Sequence, residues 1–271
     1  MTKQRVDEKL VALGLAESID VARALVMAGK VMMAEEKVNK PSEIAKEGKP
    51  LRIKDKQREF VSRGGQKLKK AIECFDIDLK DRICMDVGAS TGGFTDVMLR
   101  SGAQKVYAID VGYNQLDFTL RRDERVSVME RTNARFLTSE LFDPMPSFGA
   151  TDVSFISLRA VLPASLHVLS GENRRFVALI KPQFEATAEL VGEKGVVRDP
   201  EVHIDVISGI CEFVEGLNWR AAQLSYSPIT GPEGNIEFLL DLWPMQIAPT
   251  HVNSSQIRAI CYQASNNFMK S

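Results

Sequence analysis

A glycine-rich segment is the sharpest chemical signal in this sequence. It reads Asp86-Val-Gly-Ala-Ser-Thr-Gly-Gly-Phe-Thr-Asp and lies where a strand pattern changes to a helix pattern. Glycines at such a turn let a ligand approach the backbone, and the next helix offers free N–H groups at its N-terminus. The segment lacks the Gly-x-Gly-x-x-Gly spacing that holds the pyrophosphate of a dinucleotide. It therefore favours S-adenosylmethionine, which has no pyrophosphate, over NAD, although many α/β proteins use similar turns only for structure.

A second acidic residue closes the next strand pattern. Asp110 ends the run Lys105-Val-Tyr-Ala-Ile-Asp. A carboxylate at this position of a nucleotide-binding fold accepts hydrogen bonds from the two ribose hydroxyls. We therefore expect Asp110 to bind the ribose of the cofactor.

From Arg82 onward, strand patterns alternate with helix patterns, and these elements must position the candidate residues. Short β-rich runs separated by helical stretches predict a parallel, doubly wound α/β sheet. Two later runs, 222–226 and 236–242, flank a turn-rich segment and predict a hairpin that closes the sheet edge. The residues after about Pro244 are polar and weakly patterned, so we expect at most one short helix there.

The N-terminal part has a different character. Val6, Leu10 and Leu13 have helical spacing, and Ser18 can cap a second helix, so a helix pair with a small sheet behind it is predicted. Residues 1–70 carry 17 Lys and Arg against 10 Asp and Glu, while the rest carries 18 against 26. A polyanionic partner is therefore plausible for the first part. The candidate contacts are basic residues on the exposed side, which could equally form an ordinary solvated helix face: Arg5, Lys9, Arg23 and Lys30.

The remaining composition argues against several classes of protein. The N-terminus has no apolar signal region and the chain has no stretch of about 18 apolar residues, so secretion and membrane insertion are disfavoured. The four cysteines and three histidines lie far apart, so neither a metal site nor a disulfide framework is expected. We expect a cytoplasmic protein whose reduced cysteines pack as small apolar side chains.

Several further segments, in order, resemble the hemolysin A (TlyA-like) family of ribosomal RNA ribose methyltransferases. Besides the glycine-rich segment, they are Ser62-Arg-Gly-Gly-Gln-Lys, Thr151-Asp-Val-Ser-Phe-Ile-Ser-Leu, Leu179-Ile-Lys-Pro-Gln-Phe-Glu, Gly195-Val-Val-Arg-Asp-Pro and Gly231-Pro-Glu-Gly-Asn-Ile-Glu-Phe. The resemblance implies an α+β S4-like RNA-binding domain at 1–60 and a Rossmann-like class I methyltransferase domain of the FtsJ type at 67–245. Between them, the basic stretch 49–70 contains the Ser62-Arg-Gly-Gly break, which is typical of a domain junction, so we expect a linker at 61–66. The weak patterning after Pro244 predicts a C-terminal tail at 246–271.

The resemblance also implies a catalytic constellation of Lys67, Asp152, Lys181 and Glu237 for transfer to a ribose 2′-hydroxyl. Asp152 and Lys181 close two parallel strands, so both belong at the carboxyl edge, where α/β sheets bind ligands. Glu237 lies at the same edge if the last strand is antiparallel. Lys181 could stabilise a developing alkoxide as an ammonium or act as a general base, and the sequence leaves both roles open.

Other residues follow from the resemblance by position. Around the cofactor we expect Asp86, Gly88, Ala89, Gly93 and Asp152, with the methionine end lined by Ser90, Thr91, Gly92 and Phe94. Asn133 follows the third strand, where a residue that contacts the edge of the adenine is expected, or it is an ordinary helix cap. Arg63 and Arg198 are expected to contact RNA phosphates.

The expected function is methylation of a ribose 2′-oxygen of ribosomal RNA, on cytidine, from S-adenosylmethionine. One alternative is a non-catalytic RNA-binding or ribosome-assembly factor that retains the fold. A membrane-lytic protein, as the family name suggests, is disfavoured by the absence of an apolar segment. Methylation of a base amine usually needs an Asp/Asn-Pro-Pro-aromatic loop, and Asp152-Val-Ser-Phe lacks the prolines.

Overall fold

The computed structural model describes residues 4–34, 36–46, 48–53 and 59–268. The chain forms two compact units, residues 1–59 and 60–271. Part of the basic stretch 49–70, namely 54–58, lies outside the described residues. Within the described ranges, no helix is long and apolar enough to cross a bilayer.

The first unit is the predicted helix pair with a small antiparallel sheet. Its helices are α1 (Val6–Ala12) and α2 (Ile19–Met27), and its sheet has the order β2-β1-β3, with β1 (Val31–Met33), β2 (Glu36–Lys37) and β3 (Leu51–Ile53). Ser18 Oγ accepts the Val21 N–H at 3.3 Å, so the predicted cap of α2 is confirmed. The apolar side chains that face one another across helices and sheet form this unit's core: Val6, Leu10, Ala22, Val26, Val31, Val38 and Leu51.

The second unit is built around a seven-stranded sheet with the order β6-β5-β4-β7-β8-β10-β9. Its parallel strands are β4 (Ile83–Val87), β5 (Lys105–Ile109), β6 (Val126–Met129), β7 (Phe148–Thr151) and β8 (Arg175–Ile180). The helices are α3 (Gly65–Cys74), α4 (Gly93–Arg100), α5 (Phe118–Arg121), α6 (Leu158–His167), α7 (Pro200–Glu215) and α8 (Ser254–Phe268). β8 is buried along its whole length and apolar from Phe176 to Ile180, as a strand covered by helices on both sides must be.

The last two strands form the predicted hairpin. β9 (Trp219–Tyr226) and β10 (Phe238–Pro244) pair antiparallel, and β10 also pairs antiparallel with β8, with Phe238 opposite Ile180. β10 therefore lies between β8 and β9, and its beginning meets the carboxyl end of β8. This geometry brings Glu237, which directly precedes β10, to the edge where Lys181 follows β8.

A buried ion pair joins the same elements at the opposite edge. Arg175, at the start of β8, donates to both carboxylate oxygens of Asp241 on β10, at 2.7 and 2.9 Å. Arg175 also donates to the Phe75 carbonyl at the end of α3, at 2.7 Å. The guanidinium and the carboxylate are almost inaccessible to solvent.

The two ends of the second unit differ from the sequence prediction. Residues 61–66, expected to be a linker, lie within this unit, where Phe60 is buried and α3 already begins at Gly65. Residues 246–271, expected to be a tail, contain the 15-residue helix α8, which buries Ile257, Cys261 and Ala264. Cys84 and Cys261 are buried as expected, but Cys74 is exposed, so the prediction that all four cysteines are packed inside is wrong.

Candidate active site

A cleft at the carboxyl edge of the parallel strands consists of two adjoining cavities. The smaller cavity, of about 240 Å³, is lined by residues that include Arg63, Lys67, Asp86, Lys181 and Glu237. The larger cavity, of about 520 Å³, is lined by residues that include Asp110, Asn133 and Phe155. Both are bordered by Gly88, Ser90, Asp152 and Ser154. The edge where α/β sheets bind ligands thus carries most of the predicted site.

Four ionisable side chains form one connected network in the smaller cavity, which we call the tetrad: Lys67, Asp152, Lys181 and Glu237. Lys67 Nζ lies 3.1 Å from Asp152 Oδ2 and 2.7 Å from Glu237 Oε2. Lys181 Nζ lies 2.6 Å from Asp152 Oδ1. Asp152 therefore bridges the two lysines, and Glu237 holds Lys67 from the other side.

Burial and charge pairing shift the pKa values of the tetrad in opposite directions. Burial would raise the pKa of Asp152, but the ammonium groups of Lys67 and Lys181 outweigh it and lower that pKa. Burial would lower the pKa of Lys67, but Asp152 and Glu237 raise it. The pKa of Glu237 is raised, because burial exceeds the stabilisation of its charge by Lys67. The central Asp152 and Lys67 are therefore held in their charged forms.

Asp86 lies near the carboxyl end of β4 and is almost completely buried. Its Oδ2 accepts the Thr95 N–H at 2.8 Å and the Thr95 hydroxyl at 2.7 Å, which fixes the start of α4. Its Oδ1 is buried and has no hydrogen-bond partner among the described residues. Burial, opposed by the bonds from Thr95, raises the pKa of Asp86 to about 7. A carboxylate with an unused oxygen beside a cavity fits the positive charge that S-adenosylmethionine carries.

Asp110 lies between the two loops that border the larger cavity. Its Oδ2 accepts the Ser90 N–H at 2.8 Å and its Oδ1 accepts the Gly112 N–H at 2.6 Å. Each carboxylate oxygen has a second lone pair that can accept a hydroxyl. The position thus fits the predicted ribose contact.

The glycines of the predicted cofactor loop lie so close to other protein atoms that a side chain would not fit. A Cβ at Gly88 would meet Val153 Cγ1 at 2.9 Å, and one at Gly92 would meet Leu120 Cδ1 at 2.3 Å. A Cβ at Gly93 would meet Ser62 Oγ at 2.2 Å. Gly88 and Gly92 also have positive φ, at +86° and +94°. These glycines therefore let neighbouring segments pack closely, whereas the sequence pattern suggested direct space for the ligand.

The other predicted cofactor residues vary in exposure. Ser90 and Thr91 are exposed at the turn, while Ala89 and Phe94 are buried at the wall of the smaller cavity. Asn133 Oδ1 accepts the Arg135 N–H at 3.1 Å and caps a short 3₁₀ helix, so the alternative of a helix cap is observed. Asn133 also lines the larger cavity, and its contact with adenine stays a prediction.

The predicted RNA-binding residues fall into two groups. In the first unit, Arg5 and Arg23 donate to the buried carboxylate of Asp7, from Arg5 Nη2 at 2.8 Å and Arg23 Nε at 3.1 Å. Both arginines keep about half of their side chains exposed, while Lys30 is exposed and Lys9 partly so. In the second unit, Arg63 borders the smaller cavity and donates to the Thr230 carbonyl, and Arg198 is exposed.

Two residues of the site were missed by the sequence reasoning. Ser154 Oγ accepts a hydrogen bond from Lys181 Nζ at 2.7 Å. Phe155 is 90% exposed at the rim of the larger cavity, with a φ of +62°. Both belong to the segment 151–158 that carries Asp152, and their nearness to that residue was the available signal.

Comparison with known proteins agrees with this fold. Residues 60–243 match the FtsJ-like methyltransferase family, and residues 4–50 match the S4 domain. The chain is 43% identical over 239 residues to the 16S/23S rRNA (cytidine-2′-O)-methyltransferase TlyA of Mycobacterium tuberculosis, which covers 88% of this chain and 89% of the relative. It is 39% identical to Hemolysin A of Brachyspira hyodysenteriae over 237 residues, or 87% of this chain and 98% of the relative.

A solved structure resembles the whole chain. This structure of a candidate hemolysin from Streptococcus thermophilus is 42% identical, with a TM-score of 0.76, and the match covers 100% of this chain and 98% of the other. The predicted fold class is confirmed, as is S-adenosylmethionine as the cofactor. The chain therefore belongs to the FtsJ-like methyltransferases, in the branch that joins an S4 domain to the methyltransferase domain and includes TlyA and Hemolysin A.

Proposed function

We propose that this protein transfers a methyl group from S-adenosylmethionine to the 2′-hydroxyl of a cytidine in ribosomal RNA. The observation that carries the proposal is the tetrad, in which two lysines flank one carboxylate beside the cofactor cavity. The identity to a relative named for cytidine-2′-O methylation supports the choice of substrate. A ribosomal substrate also favours the cytoplasm, as the sequence predicts.

The tetrad suits a reaction whose main demands are alignment and charge stabilisation. The bound cofactor supplies an electrophilic methyl group, so the protein needs no activated leaving group of its own. The protein must hold a ribose oxygen in line with that methyl and accommodate the loss of one proton. A sugar hydroxyl is weakly acidic, and a nearby ammonium stabilises the negative charge that develops on its oxygen.

The contacts of Lys181 favour its electrostatic role. Both of its partners, Asp152 Oδ1 and Ser154 Oγ, lie at hydrogen-bond distance as acceptors. An ammonium has three N–H groups, so one remains for the ribose oxygen. We therefore assign Lys181 to the oxygen, and Asp152, Lys67 and Glu237 to fixing its position and the local charge.

The second unit carries the chemistry, and the first is assigned to RNA. The second unit, residues 60–271, carries 22 Lys and Arg against 26 Asp and Glu, which opposes binding to a polyanion, whereas residues 1–59 carry 13 against 10. We propose that the S4 unit binds structured ribosomal RNA and that Arg63 and Arg198 contact phosphates near the cleft.

The direct test uses S-adenosylmethionine with a labelled methyl group. Purified protein is incubated separately with naked ribosomal RNA, small subunits and large subunits, and labelled nucleotides are mapped by mass spectrometry. Label on the 2′-oxygen of cytidine is expected, and the Lys181→Ala variant provides the background. Absence of label from every substrate, with cofactor binding intact, would instead support the assembly-factor alternative.

A further inference from the structure

Asp86 presents a buried carboxyl oxygen that the protein itself does not satisfy. Oδ2 is saturated by two bonds from Thr95, while Oδ1 has no partner among the described residues. The residue is 1% exposed and lines the smaller cavity. A fully ionised carboxylate in this position would carry the desolvation cost of an unpaired charge.

The neighbouring charges make ionisation still harder. Asp110 and Asp152 stand at the ends of the strands on either side of β4, and both raise the pKa of Asp86. The ammonium groups of Lys67 and Lys181 are bound to Asp152 and Glu237. Arg63, the other charged residue that lines this cavity, donates to the Thr230 carbonyl. No described cation pairs with Asp86.

We propose that Asp86 is a neutral acid in the free enzyme and releases its proton when the positively charged cofactor binds. The proton and the cofactor then compete for one carboxylate. The inference concerns cofactor binding alone and does not depend on the RNA substrate. It gives Asp86 a role in selecting a cationic ligand, in addition to its hydrogen bonds with Thr95.

Competition between the proton and the cofactor predicts that the affinity for the cofactor rises with pH up to the pKa of Asp86. The pKa of Asp86 in the free site is about 7, and a bound cation lowers it. Below pH 7 the cofactor must displace a proton, so its affinity should fall by up to tenfold for each pH unit. Above that range the carboxylate is already ionised and the affinity levels off. The binding measurement is limited to about pH 7.5 and below, because the α-amino group of the cofactor loses its own proton above that range.

Isothermal titration calorimetry of the full chain tests this proposal. S-adenosylmethionine is titrated at pH 6.0, 6.5, 7.0 and 7.5, each in two buffers with different heats of ionisation. The difference between buffers should correspond to nearly one proton released at pH 6.0 and about half of one at pH 7.0. Equal heats in both buffers and a constant affinity from pH 6.0 to 7.5 would overturn the proposal. Absence of binding at every pH would contradict the cofactor assignment instead.

A matched pair of variants assigns the proton to Asp86. Thr95→Val removes the hydroxyl bond that favours the ionised form, so the midpoint of proton release should move to higher pH. Thr95→Ser keeps the hydroxyl and should leave the midpoint unchanged. Equal midpoints in the two variants, with thermal unfolding unchanged, would count against Asp86 as the proton donor. Asp86→Asn should abolish proton release. Proton release that persists in this variant would also count against Asp86 as the proton donor.

S-adenosylhomocysteine identifies the charge that displaces the proton. This product keeps the α-ammonium group but has a neutral thioether in place of the sulfonium. Equal proton release with both ligands would assign the ammonium to Asp86. Release with S-adenosylmethionine alone would assign the sulfonium, and Asp86 would then favour substrate over product at neutral pH.

Discussion

Lys181 touches two acceptors of one loop, Asp152 and Ser154, and its removal should affect the chemical step more than cofactor binding. Loss of one donor that stabilises a developing negative charge on oxygen typically lowers turnover by about 10²–10³-fold. We expect Lys181→Ala to show such a loss in labelled methyl transfer, while the cofactor Kd stays within a few-fold. Lys181→Arg is the matched control, because it keeps the charge and should retain more activity. Turnover near that of the unaltered protein in Lys181→Ala would exclude Lys181 from the site.

Phe155 combines exposure with an unfavourable backbone conformation. A bulky residue with positive φ is uncommon, and such strain persists mainly where the surroundings or function require it. Its ring lies 5.1 Å from that of Phe184 and stands over the cleft rim, where a nucleobase could stack. Stacking contributes about 1–3 kcal/mol per base.

We therefore expect Phe155→Ala to raise the KM for RNA by about fivefold to a hundredfold, the range that this stacking energy implies. The cofactor Kd is measured in parallel, because Phe155 also lines the cavity that holds Asp110 and Asn133, and Phe155→Tyr should behave like the unaltered protein. Methylation kinetics at varied RNA concentration measure the effect. An unchanged KM in Phe155→Ala would show that the ring makes no productive contact.

At the residue scale, the sequence predicts positions better than contacts. Asp86, Asp110 and Asp152 are found because each stands at the carboxyl end of a strand, which is a local pattern. The bond from Lys181 to Ser154 and the unused oxygen of Asp86 depend on packing between distant segments. Such contacts have no local signature, so their energetic consequences emerge only from the structure.

At the scale of elements, α3, β8 and β10 are tied together at both ends. At one edge, Asp152 bridges Lys67 and Lys181, and Glu237 pairs with Lys67. At the other edge, Arg175 joins Asp241 and Phe75. Arg175 also lies 4.8 Å from the ring of Trp243, and Trp243 donates to Asp241 Oδ2 at 2.9 Å. The Arg175–Asp241 pair therefore holds α3, β8 and β10, the elements that position the lysines of the tetrad, in register.

Asp241→Asn should strongly destabilise the second unit. The change leaves the guanidinium of Arg175 buried without its counter-charge, and breaking a buried pair in this way costs about 3–5 kcal/mol in the free energy of unfolding. Urea unfolding measures this cost. The exposed pair Arg258–Glu201, with 2.8 Å between Nη1 and Oε1, is the matched control. Glu201→Gln should cost about 1 kcal/mol or less, and equal effects of the two changes would contradict this interpretation.

The parallel sheet and its closing hairpin could be predicted from the alternation of strand and helix patterns, but the ends of the domain could not. The segment 254–268 is polar on average, which hid the helical spacing of Ile257, Cys261 and Ala264. These three small or medium side chains are enough to pack α8 against its unit. The start at Phe60 was missed because the glycine pair 64–65 suggested a flexible linker, whereas Gly65 packs closely against Phe60.

For the whole molecule, the separation of charge follows the separation of units. Deletion of residues 1–59 should preserve the cofactor Kd, since every residue that lines the two cavities belongs to the second unit. The same deletion should weaken binding to ribosomal RNA and flatten its dependence on salt, because fewer phosphate contacts release fewer counterions. Filter binding at 50 and 200 mM salt measures both effects. Unaltered RNA affinity in the shortened protein would contradict the role assigned to the S4 unit.

The place of β10 in the sheet has a consequence for biosynthesis. A growing chain folds in order from its N-terminus, so β4 to β8 can assemble while β10 is still untranslated. Until then the edge of β8 has no partner, and Lys67 lacks the carboxylate of Glu237. A prematurely ended chain would expose a long apolar edge prone to aggregation. Only a chain that extends past residue 237 can therefore form the complete tetrad.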